Sequence, residues 1–289
     1  MKIDNWKKRL AVALCVLLGI GVLGNLVYFL RGGDAAAAAQ SGETVAVETE
    51  PAEPKEWAEP IEIPADGISR LRIDWVVGNV TLETGDIDQI RICETQSKKE
   101  LEHVERDGEL LIRYSDDTFT SMLKMHSKNG KDLTVTVPAS WEGQKLELQV
   151  VSANVTIRDL RIRDMDYDGV SGKLNAENCQ LGQVSMQTVS GNVSVSGTVE
   201  ELECESVSAD CSLFLTNVPR EISLEGVSGS LLLTLPENAG FTAELDGVTN
   251  ELKSDFALQK QDDRYVAGDG SCEIEIEGIS GQAEILKQK

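Results

Sequence analysis

Histidine is nearly absent from this 289-residue chain: there are two, His103 and His126, and neither stands near clustered cysteines. A zinc site needs several such ligands at close spacing, so zinc chemistry is not expected. No serine lies in a Gly-x-Ser-x-Gly turn, which removes the hydrolase elbow. Phosphate-cradling glycine loops, dinucleotide fingerprints and basic patches are also missing. The chain therefore reads as non-enzymatic, with no catalytic or cofactor-binding residue to assign. Positive charge is scarce as well, 27 Lys and Arg against 49 Asp and Glu, for a net charge of −22. Five of the basic and one of the acidic residues fall in the first 31, which leaves 22 against 48, a net −26, beyond them. That sign disfavours nucleic acid and anionic lipid head groups as partners.

What is present is a repeat. Val-Ser-Gly, or a close variant, followed by a short strand begins at Val151, Val170, Val189, Val207, Val227, Val248 and Ile279, at spacings of 19, 19, 18, 20, 21 and 31 residues. A near-constant period of this size marks a solenoid. After each corner the pattern alternates with period two, which points Val155/Ile157, Leu174/Ala176, Val193/Val195, Cys211/Leu213 and Leu231/Leu233 inward. A second strand leads into each corner, with inward pairs Met165/Tyr167, Val184/Met186, Leu202/Cys204, Ile222/Leu224, Ala243/Leu245 and Ile274/Ile276. The expected fold is all-β: a parallel β-solenoid over residues 151–289, with two strands per coil of about 19–20 residues. Glycines before and after the corner, such as Gly169 and Gly172, suit positive φ or tight bends. Coils stack in chain order in this reading, and Leu286-Lys287-Gln288-Lys289 closes the stack.

Upstream, residues 61–150 stay strand-like but lose the strict period; they are expected to form opening coils and an irregular β cap that protects the sheet end. Val77-Gly78-Asn79-Val80-Thr81-Leu82 looks like one more repeat strand. Residues 31–60 are acidic, with an alanine run and three prolines, a composition that predicts a disordered linker. Residues 10–30 hold 21 residues without a charge and predict one transmembrane helix. The basic flank at 1–9 places the N-terminus in the cytoplasm and the rest outside the cell membrane. A signal peptide cleaved near Ala37-Ala38-Ala39 is the alternative.

The Val-Ser-Gly units, the strand Leu133-Thr134-Val135-Thr136-Val137-Pro138 and the passage Leu233-Thr234-Leu235-Pro236-Glu237-Asn238-Ala239-Gly240-Phe241 resemble the bacterial putative-adhesin family over about residues 60–289. The resemblance implies a β-solenoid, often behind one membrane span, in a domain of uncharacterised function. Some members lie in envelope-stress operons of Gram-positive bacteria. No activity and no binding residue carries over.

Five cysteines follow the span: Cys93, Cys179, Cys204, Cys211 and Cys272. No two share a column in adjacent coils, so buried free thiols are expected rather than disulfides. Asp164, Asp166 and Asp168 resemble the start of a calcium loop, yet the twelfth position is Asn175 where an EF-hand needs Glu, and the repeat puts the three aspartates on the outward side of a strand. They remain weak candidates for a divalent cation such as calcium. Outward positions of the leading strands are rich in carboxylates, Asp168, Glu203, Glu205, Glu225, Glu244, Asp246, Glu275 and Glu277, whereas the opposite sheet bears Thr156, Asn175, Ser194 and Ser212. This acidic face is the candidate interaction surface, for membrane or envelope proteins, cationic peptides or cations. The expected function is a membrane-anchored extracytoplasmic binding or scaffold module in envelope-stress sensing or maintenance; a surface adhesin and a structural spacer are the alternatives.

Overall fold

A computed structural model describes residues 56–95, 101–114, 130–246, 251–262 and 264–288. The expected N-terminal segment 1–9, membrane helix 10–30, all but the end of the 31–60 linker, His126 and the corner Val248-Thr249-Asn250 lie outside these residues. No helix among the described residues is long and apolar enough to cross a membrane. Ordered pairing begins inside the stretch expected to be linker: Trp57 bridges Thr95, and the Ala58 amide donates to the Glu94 carbonyl at 2.8 Å.

The strands are β1 (Ile61–Pro64), β2 (Arg70–Gly85), β3 (Gln89–Glu94), β4 (Glu102–Arg106), β5 (Glu109–Arg113), β6 (Leu133–Pro138), β7 (Gly143–Arg158), β8 (Arg161–Gly169), β9 (Lys173–Leu215), β10 (Glu221–Leu235), β11 (Phe241–Asp246), β12 (Glu251–Ser254), β13 (Gln259–Gln261), β14 (Arg264–Ala267) and β15 (Cys272–Lys287). The fold is all-β and mostly parallel, as the repeat predicts. Coils stack in register: Leu71, Leu146, Met165 and Val184 are successive partners on the leading sheet, as are Leu202, Ile222, Ile274 and Ala243. On the second sheet Val80, Val155 and Leu174 form one run, and Cys211, Leu231, Ala283 and Leu252 another. All of these except Leu252 are buried. The inward columns expected from the period-two pattern are thus the core, with Leu224, Leu245 and Ile276 only partly covered. Val77–Leu82 is a repeat strand, its residues paired one for one with Ser152–Ile157.

The order of coils differs from the chain at both ends. β15, last in sequence, lies between β10 and β11, parallel to both, and does not close the stack. The chain passes the vacant slot with β11 and β12, turns back through β13 and β14, and then fills it. This detour is the reason for the 31-residue spacing before Ile279. The N-terminal end mirrors it: β5 and β6 follow β2 in sequence yet pair on its outer side, while β7 takes the inner one. β2 and β15 are consequently hydrogen-bonded on both sides. The strands left at the margins are short: β1 runs between Pro60 and Pro64, β4 exposes Glu102, Glu105 and Arg106 beside Val104, β12 is Glu-Leu-Lys-Ser paired with β15 alone, and β13 is Gln-Lys-Gln. Such edges resist pairing with other chains.

At Val170-Ser171-Gly172 the corner separates β8 from β9, whereas the corners at Val151, Val189, Val207 and Val227 lie inside continuous strands, and β9 continues for 43 residues, long enough to neighbour itself. The glycine after the serine has positive φ in Gly172, Gly191 and Gly229. It also sits against the coil below: a Cβ on Gly191 would lie 2.1 Å from the Gly172 carbonyl oxygen. Gly169 and Gly226, expected to share that role, have no such φ; a Cβ on Gly169 would instead strike Tyr167 at 2.7 Å. The repeated serine hydroxyl donates to the corner carbonyl one coil away, from Ser171 to Val151 at 3.3 Å and from Ser190 to Val170 at 3.4 Å.

Two outcomes are expected. Gly191→Ala meets both a disfavoured φ and a backbone clash, so it should destabilise by at least about 1–3 kcal/mol in urea melts, and an unchanged midpoint would disprove the close approach. Ending the chain at Gly270 removes Ile274 and Ile285, each worth about 1.5–3 kcal/mol of burial, and bares two parallel edges at once. Loss of the cooperative thermal transition is expected; a merely trimmed transition would mean that β15 is peripheral.

Candidate functional site

The leading sheet presents three outward columns. The first reads Arg70, Lys145, Asp164, Gln183, then Glu201, Glu221 and Glu273. The second reads Arg72, Glu147, Asp166, Ser185, then Glu203, Ser223, Glu275 and Glu244. The third reads Asp74, Gln149, Asp168, Gln187, then Glu205, Glu225, Glu277 and Asp246. The eight carboxylates expected on one face are therefore on one face. The inserted β15 makes Glu277, rather than Asp246, the neighbour of Glu225. Four carboxylates follow one another in the third column and three in the first, at the roughly 4.8 Å separation of adjacent strands. Like charges at that spacing repel.

Charge is graded along the stack. In its N-terminal half Arg72 lies 3.1 Å from Asp74 and 3.6 Å from Glu147, Arg113 lies 3.6 Å from Asp74, and Lys145 lies 2.9 Å from Glu147 and 2.8 Å from Asp166. In the C-terminal half the named basic partners stand at the borders, Arg220 with Glu201 and Arg264 with Glu244 at 2.8 Å. Composition alone does not reveal this gradient, because it requires knowing that Arg72, Arg113 and Lys145 share rungs with the first few acids. Glu201, Glu221 and Glu273 were also not among the expected residues; the same period-two count, carried one pair back along each strand, finds them.

Asp164, Asp166 and Asp168 sit on β8 as alternate residues, so about 3.3 Å per residue separates neighbouring carboxylates by roughly 6.6 Å along the strand. They do not converge, and no group of three or more metal-ligating side chains occurs among the described residues. Asp166 is held by Lys145. Burial raises the Asp168 carboxyl above the usual carboxylate range, the Asp166 and Glu147 charges raise it further, and Arg72 only partly offsets them. Lys145 moves the opposite way in stability terms: hydrogen bonds to Asp166 and Glu147 hold its ammonium form well beyond the ordinary lysine range.

The opposite sheet is less uniform than expected. Thr156 and Asn175 are outward partners there, with Arg158 3.0 Å from Glu177. Toward the C-terminal end Phe214 is 43% exposed, its partner Thr234 pairs in turn with Leu286, and Leu232 lies two residues from Thr234. One face is acidic; the other is polar with an apolar spot.

The Toastrack DUF4097 family matches the chain over residues 68–285. No curated protein matches it. Among solved structures it is similar to a "putative adhesin" of Bacteroides fragilis, at 13% identity and a TM-score of 0.41, covering 81% of this chain and 98% of that one. A "putative cell adhesion protein" of Clostridium sporogenes shares 13% identity at a TM-score of 0.34, over 81% and 100%. A "putative lipid binding protein" of Parabacteroides distasonis shares 15% at 0.33, over 81% and 97%.

The Asp168 carboxyl has a folded pKa above its unfolded one, so its ionisation opposes folding. That cost is complete above the folded pKa, shrinks as the pH falls through it, and is gone once Asp168 is protonated in both states, below about pH 4. Asp168→Asn should therefore raise the melting temperature at pH 7 and leave it unchanged at acid pH. A lower melting temperature at pH 7 would show that Asp168 is held by attraction instead.

Proposed function

Because the chain belongs to the Toastrack DUF4097 family, with the match spanning nearly all of the coil stack, we propose that it is a non-enzymatic binding or scaffold module whose working surface is the C-terminal half of the acidic sheet. The observation that carries this reading is the in-register run Glu205, Glu225, Glu277, Asp246. Consecutive rungs concentrate negative charge along one line, which a surface serving only solubility does not require. Their field draws protein or cation contacts, above all basic segments of membrane and envelope proteins or cationic peptides.

The setting of this module rests on the sequence. Residues 10–30 anchor the chain in the cell membrane with its N-terminus cytoplasmic, and the acidic linker tethers the coil stack just outside. Envelope-stress sensing or maintenance follows from the family resemblance. A second reading, a surface adhesin, would use the other sheet, where Phe214 is exposed near Leu286. A spacer would use neither.

Photocrosslinking in intact cells separates these readings, with the reactive group on the full-length chain at Glu225 and, separately, at Ser194. Capture of basic segments of membrane or envelope proteins at Glu225, lost when Glu205 and Glu277 become Gln, is the expected result. Capture of an external polymer at Ser194 would replace it with the adhesin, and silence at both positions would leave the spacer.

A further inference from the structure

Among the described residues the five cysteines are unbridged, and only Cys204 and Cys211 come together. Counting columns between coils misses this pair because both belong to one coil. Cys204 faces inward from the leading sheet and Cys211 faces inward from the second, and the corner Ser206-Val207-Ser208-Ala209 folds one over the other. The two thiols lie within interaction range of each other, and each residue is 4% exposed. Cys179 behaves otherwise: its thiol donates to the Glu177 carbonyl at 3.3 Å. Cys93 and Cys272 likewise have no second thiol in contact.

Both thiols line a cavity of about 60 Å³, together with Ala209, Leu224, Leu231 and Ile276. Its lining continues to Glu225, Ser230 and Gln282, outward residues on β10 and β15, so it reaches the surface between two corners. The interior column reads Trp75, Val150, Gly169, Thr188, then Ser206 and Gly226, and the last two, both small, line the cavity. At about 10–15 Å³ of such space per water, it has room for a few water-sized groups, enough for hydrogen peroxide and far below glutathione disulfide.

We propose that Cys204 and Cys211 are a peroxide-oxidisable dithiol that closes to an intramolecular disulfide joining the two sheets of one coil. Cys204 is assigned the attack and Cys211 the resolving step; both line the cavity that admits the peroxide. The Cys204 Sγ attacks one peroxide oxygen; an S–O bond forms, the O–O bond breaks, and the departing hydroxide leaves as water with the Cys204 proton. The Cys211 Sγ then attacks the Cys204 sulfur of the sulfenic acid; the S–S bond forms, the S–O bond breaks, and the second hydroxide leaves as water with the Cys211 proton. Two thiols and one peroxide become one disulfide and two waters. This step is independent of the acidic face and of any partner that binds it.

The test treats reduced full-length chain with hydrogen peroxide, then counts thiols after denaturation and maps them by peptide mass. The expected result is a fall from six thiols to four, with one peptide linking Cys204 to Cys211 at a mass lower by two hydrogens, reversed by dithiothreitol. Cys211→Ser should leave Cys204 as a sulfenic acid that dimedone captures, and glutathione disulfide should oxidise the folded wild-type chain far more slowly than peroxide does. Should the variant fail to fold, the wild-type peptide map decides alone. Oxidation of Cys93 ahead of the pair, sulfinic acid at Cys204 without a linked peptide, or six intact thiols would each overturn the proposal.

Discussion

Everything in this fold depends on parallel coils stacking in register, so that each residue has the equivalent residue of the neighbouring coil directly above and below it. Backbone hydrogen bonds set that separation near 4.8 Å and leave no choice at the corners. At Gly172, Gly191 and Gly229 the backbone adopts positive φ while its α-carbon rests on a carbonyl of the adjacent coil, and a side chain would have to occupy that carbonyl's place. The serines beside Gly172 and Gly191 add a hydrogen bond in the same direction. Repetition of sequence is therefore a consequence of repetition of contacts.

The same constraint multiplies whatever chemistry a column carries. An apolar column becomes a continuous core from Leu71 to Ala243, and an acidic column becomes a line of carboxylates. In the N-terminal half the line is broken by Arg72, Arg113 and Lys145, whose ion pairs stabilise the surface there. In the C-terminal half the third column holds four acids in succession. Small interior residues act in the same cumulative way: Ser206 and Gly226, on neighbouring rungs, both line the cavity.

Stacking also creates two ends, and the chain deals with both by similar means. Placing β2 inside β6 and β15 inside β11 gives β2 and β15 hydrogen-bonded neighbours on both sides, so that fraying begins from short strands such as β1, β12 and β13. A sequential stack would instead leave a sixteen-residue parallel strand bare at each end, a ready template for another chain.

Much of this was legible in the residues. The 18–21-residue period, the inward and outward alternation and the corner glycines determined the solenoid, its core and the face on which Asp168, Glu205, Glu225 and Glu277 stand, because each is a local rule applied at every turn. Three features were not legible, since each depends on which segments become neighbours. The slot taken by β15 is set by hydrogen-bond partners far apart in sequence, and it alone makes Glu225 and Glu277 adjacent. The gradient of charge needs the rungs shared by Arg72 and Glu147. The meeting of Cys204 and Cys211 needs the width of one coil at one corner, a distance that no column count contains. Local periodicity determined what faces inward and what faces out; only the tertiary structure decided which residues meet across a coil and at its ends, because those pairings are chosen by packing and not by spacing.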